Sequence, residues 1–180
     1  MRNTKTMKIT FCGLIAALSV IIMFLTGLIP IATLALPAIA GCLLIAVVAE
    51  AGVRWAFCVY VVCGVLSFIV APDREAALFY VLLFGYYPTL FAVIGRIKNR
   101  VGRYLVKLLV FNAAIVAEFF IAVKLLGIPF EEMELFGQFT ALLLFVLGNV
   151  VFIIYDLALD RLISTYYIKM RPKVKNVFKI

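Results

Sequence analysis

Between Lys8 and Glu50 the sequence carries no charged side chain, and that stretch limits what the chain can fold into more than any other feature. A water-soluble domain would have to wrap it in polar surface. The rest of the chain cannot supply that surface, because 67% of the 180 residues are hydrophobic and 14% charged. Soluble domains run nearer half apolar and a quarter charged. With a mean hydropathy of +1.20, the solvent for most of the chain is expected to be lipid. At roughly 20 residues per crossing, the length suits one domain, an all-α integral membrane bundle of about six spanning helices.

The expected spans are residues 9–28, 37–53, 55–70, 76–95, 104–126 and 138–159, followed by a basic tail over 160–180. Arg2, Lys5 and Lys8 ahead of the first run imitate a signal peptide, but the run is too long and is expected to be retained. The apolar, charge-free loop over 29–36 is expected at the membrane surface, where irregular backbone needs protein or a cavity over it. Trp55 beside Arg54 reads as an interfacial anchor. Pro88 in Gly85-Tyr86-Tyr87-Pro88 is expected to kink the fourth span by removing a backbone hydrogen bond.

The formal charge of +8 comes from 17 Lys and Arg against 9 Asp and Glu. In a membrane chain this excess points to cytoplasmic loops and anionic lipid rather than to nucleic acid. With six crossings and the amino terminus inside, 15 of the 17 basic residues share one side, leaving Arg74 and Lys124 on the other. Both termini are therefore expected in the cytoplasm of a cell in whose plasma membrane the protein sits. The absence of His argues against zinc hydrolases and His-based triads. Cys12, Cys42, Cys58 and Cys63 lie in apolar runs without CxxC spacing and read as free buried thiols. No Walker motif is present, so the chain is not expected to hydrolyse ATP in the P-loop manner. Asp156 and Asp160 on one helix end offer too few carboxylates for metal-dependent transfer; no enzyme activity, metal or cofactor is expected.

Ionisable side chains inside a bilayer cost a few kcal/mol each, roughly 2.5–3.5 on insertion scales, and are functional candidates for that reason. Glu118, deep in the fifth span, is the sharpest, either as a ligand contact or proton carrier or as a carboxyl group paired inside the bundle. Glu50 with Arg54, and Asp156 and Asp160 with Arg161, read as interfacial salt bridges. Asn112 and Asn149 read as interhelical glue. In the expected topology the outer half of the bundle gathers Thr26, Tyr80, Glu118, Lys124 and Gln138. A small organic solute is expected there, with Tyr80 giving a stacking face and Glu118 or Lys124 reading a polar group. In the first span, Cys12-x-x-x-Ala16 and Gly13-x-x-x-Ala17 form two adjacent small-residue stripes that would let another helix approach closely.

Six short spans, both termini inside, the small-residue stripe and a charge-free loop followed by Leu36-Pro37-Ala38-Ile39-Ala40-Gly41 resemble the substrate-binding S components of energy-coupling factor transporters. The resemblance implies a subunit that captures a micronutrient from outside and works with a transmembrane T component and two ATPases. It implies that Gly13 and Ala17, or Cys12 and Ala16, meet the T component, and that the 29–36 loop is a lid. Two other classes fit the composition: a non-transporting scaffold of the bacterial envelope, and a small ion-coupled transporter using Glu118.

Overall fold

The computed structural model describes residues 4–29, 32–125, 140–172 and 174. Helix is the sole regular secondary structure among them. The order is α1 (Thr4–Phe24), a 3-10 turn (Leu25–Gly27), α2 (Ala35–Glu50), α3 (Val53–Val70), α4 (Arg74–Phe79), a π turn (Tyr80–Phe84), α5 (Tyr87–Ile94), α6 (Arg100–Leu125), α7 (Thr140–Thr165) and a second π turn (Tyr166–Met170). Four helical stretches, Lys5–Gly27, Val53–Val70, Arg74–Ile94 and Arg100–Ile121, are long and apolar enough to cross a membrane, and Ala35–Glu50 is a shorter apolar helix.

Local chemistry sets several boundaries. α2 stops where Gly52 turns with φ +100°, a conformation open to glycine, and both Ala51 N and Gly52 N bond back to the Val47 carbonyl. α4 starts at Asp73, whose carboxylate accepts from Glu75 N at 3.0 Å and Ala76 N at 3.1 Å. Packing then gathers α1, α2 and α3 around Phe11, Ile15, Met23, Leu44, Val47 and Cys63, with Tyr80 of the π turn inserted. A second cluster joins α2, α5 and α7 through Ile45, Tyr87, Phe152 and Leu159. α2 reaches the π turn closely because of Gly41, where an added Cβ would lie 2.4 Å from the Phe84 carbonyl oxygen. The outer faces are apolar: Ile69 and Leu109 are 71% exposed and Ile154 62%. Such a surface is one that a bilayer solvates.

Several expected boundaries move. α1 starts at Thr4 and α2 at Ala35, and α6 starts at Arg100, so Arg100 and Arg103 belong to a helix rather than to a loop. α7 continues past 159 through Thr165 into the second π turn, so the basic tail begins as helix. The fourth span is interrupted, but Pro88 is not the cause. It sits in the first turn of α5, where its missing N–H costs no helical bond. The interruption is the π turn, closed by Gly85 N on the Tyr80 carbonyl at 2.7 Å. A Cβ at Gly85 would meet that oxygen at 2.7 Å and the Tyr60 ring at 2.8 Å, so only glycine fits there. The acidic Glu131, Glu132 and Glu134 and the start of the sixth expected span lie outside the described residues.

Candidate functional site

α6 packs against α4, α5 and the first π turn. Among its described side chains two are buried, and both are charged: Lys107 and Glu118, each 8% exposed. They are eleven positions apart, close to three turns, so they share one face of the helix about 16 Å apart along its axis. Their surroundings differ completely.

Lys107 is satisfied. Its ammonium donates to both Asp156 oxygens, Oδ1 at 2.7 Å and Oδ2 at 2.9 Å, and lies 3.9 Å above the Phe91 ring. The Tyr87 hydroxyl donates to the same Asp156 Oδ1 at 2.6 Å. Three helices are tied together by this network, which spends its charge internally. Asp156 therefore pairs across the bundle with Lys107, not with Arg161 on its own helix end as expected. Glu50 departs similarly. Instead of Arg54 one turn away, Glu50 Oε1 forms an ion pair with Arg171 Nε at 3.3 Å and accepts from the Tyr166 hydroxyl at 3.5 Å, joining α2 to the π turn that follows α7. Tyr166 lies beyond the last expected span, and burial, then the Glu50 carboxylate, push its phenol up to about 12, which keeps it a donor.

Glu118 is not satisfied. Its Oε1 is buried without a hydrogen-bond partner among the described residues, and the carboxylate acting on it electrostatically is Glu75 at the start of α4. A buried polar oxygen left unsatisfied in this way is costly. The other expected site residues are placed otherwise. Tyr80 is wholly buried in the core, with its ring 6.3 Å from that of Tyr60 and its hydroxyl set against the Cys63 thiol, so it offers no open stacking face. Thr26 is buried, and its hydroxyl donates to the Met23 carbonyl at 2.7 Å. Lys124 is exposed in the last turn of α6, and Gln138 lies outside the described residues. Tyr86 and Tyr87 separate, the first against Tyr60 and the second onto Asp156.

Asn112 and Asn149 form a reciprocal amide pair between α6 and α7, at 3.2 and 3.0 Å. All four cysteines are free, and Cys58 is exposed rather than buried. The two small stripes of α1 also part company. Cys12 and Ala16 face inward, where Cys63 Sγ lies 3.7 Å from the Ala16 carbonyl, whereas Gly13 and Ala17 face outward. Nothing lies within 4 Å of a Cβ added at Gly13.

The Lys107 network was readable only in part. Lys107 and Glu118 share a helical face by spacing alone, but which helix lies opposite depends on the bundle's packing. Compared with known families, curated proteins and solved structures, the chain matches none. What fold and site define together, among the described residues, is an all-helical protein with four helices apolar enough to cross a membrane and two charged side chains buried on one face of α6.

Proposed function

We propose that the chain is the substrate-capture subunit of a micronutrient uptake system in the plasma membrane. It crosses six times, with both termini in the cytoplasm. The protein takes a small organic solute from the outer side and relies on a separate membrane partner with ATPase subunits for energy. The observation that carries this reading is the unpartnered Oε1 of Glu118, a buried carboxylate with capacity to hold a ligand's donor. The outward Gly13 and Ala17 stripe supports the second half, since a close-fitting helix can approach there.

Thermal-shift screening of the purified protein against vitamins, nucleobases and amino-acid derivatives tests the capture role. A solute carrying a cationic or N–H donor group should stabilise the wild type, and Glu118→Gln should weaken its binding about tenfold or more while leaving the unliganded melting temperature nearly unchanged. Hits that bind Glu118→Gln as well as wild type would contradict the site, and no hit at all would favour the scaffold.

A further inference from the structure

A cavity of about 320 Å³ opens between the end of α5, the first two turns of α6 and α7. Its floor is the Lys107–Asp156 ion pair, already neutral and locked by Tyr87. The charges left to act on a guest are Arg100 and Arg103 from α6 and Asp160 from α7, none of which forms an ion pair among the described residues. The rim is apolar and open, with Tyr104 56% and Leu157 55% exposed.

We propose that this cavity binds the headgroup of a glycerophospholipid, with Arg100 and Arg103 on the phosphodiester and Asp160 on a headgroup donor. The inference rests on the membrane reading alone and not on solute capture. Two guanidiniums against one carboxylate leave a single positive charge, which suits a phosphodiester monoanion. A free phosphate dianion would meet Asp160 as a repulsive wall. An ethanolamine ammonium or a glycerol hydroxyl would give that carboxylate a hydrogen bond, whereas choline has no N–H or O–H to give. Depth agrees with this assignment: the cavity lies at the start of α6, directly after the basic Arg96 and Lys98 in the sequence, the level of headgroups, and its apolar rim lets acyl chains leave along α6 and α7. At 320 Å³ it also reaches the roughly 300–1,000 Å³ usual for small-molecule sites.

Native mass spectrometry of the detergent-purified full chain, incubated with equimolar phosphatidylglycerol, phosphatidylethanolamine and phosphatidylcholine of identical acyl chains, tests the site. The wild type should retain the first two over phosphatidylcholine. Arg100→Gln with Arg103→Gln should cut retention about tenfold, at two positions outside the apolar core, with folding checked by circular dichroism. Asp160→Ala should erase the preference, so that the three lipids are retained alike. Equal retention of all three lipids by the wild type, or unaltered retention by either variant, would overturn the proposal. Displacement of lipid by millimolar inorganic phosphate would overturn it too, by assigning the cavity to a free anion.

Discussion

Two charged side chains of α6 share a face, yet one is paired and the other open, and the difference is measurable. Lys107→Met should destabilise the protein by about 3–5 kcal/mol, because Asp156 would remain buried with only the Tyr87 hydroxyl. Lys107→Met combined with Asp156→Leu should recover most of that loss, as seen in thermal unfolding in a fixed detergent. If the double variant is as unstable as the single one, the pair does more than neutralise itself. Glycines give a second contrast. Gly41→Ala drives a Cβ against the Phe84 carbonyl and should cost about 1–3 kcal/mol, whereas Gly13→Ala meets open space inside a helix and should cost nothing or stabilise by up to about 1 kcal/mol. Equal effects of the two would mean that α2 does not pack on the π turn as described.

For whole helices, period and composition carried most of the information, and partners across space carried the remainder. The apolar runs over 9–28 and 55–70 were legible as helices because lipid-solvated segments need length and apolarity and little else. Boundaries set by capping were less so, since Arg100 and Arg103 look like loop charge until the helix is seen to begin at Arg100. The fourth span shows the limit clearly. Proline signals a kink by its chemistry, but here the break comes from a π turn whose cause is packing: Gly41 and Gly85 let α2 and Tyr60 press in. Pro88→Ala should therefore cost only what truncating a fully buried ring costs, about 1–3 kcal/mol on thermal unfolding, and should leave the π turn in place. A structure of the variant in which the fourth span runs on as unbroken α-helix would return the break to the proline. Glu118 was legible because a carboxylate is costly in lipid and rarely sits alone in an apolar run. Tyr80 was not, since an aromatic side chain reads the same whether it lines a cavity or fills a core.

Taken as a whole, the molecule divides along its length into an end rich in Arg and Lys and an opposite end bearing Asp73, Arg74 and Glu75. With six crossings, cysteines introduced at Lys98 in a thiol-free background should be protected from an impermeant reagent in intact cells, and cysteines at Glu132 should be labelled. The reverse pattern would contradict both termini being cytoplasmic. Above all, the proposed function requires this chain to be a subunit that docks through one face of α1. Photocrosslinking in native membranes reads that out, with a photoreactive residue placed in turn at Gly13, Ala17, Cys12 and Ala16. Positions 13 and 17 should give an adduct with a second multi-span protein that co-purifies with ATPase subunits, and positions 12 and 16 should give only internal links to α3. Adducts from all four positions alike, or none from 13 and 17, would contradict it.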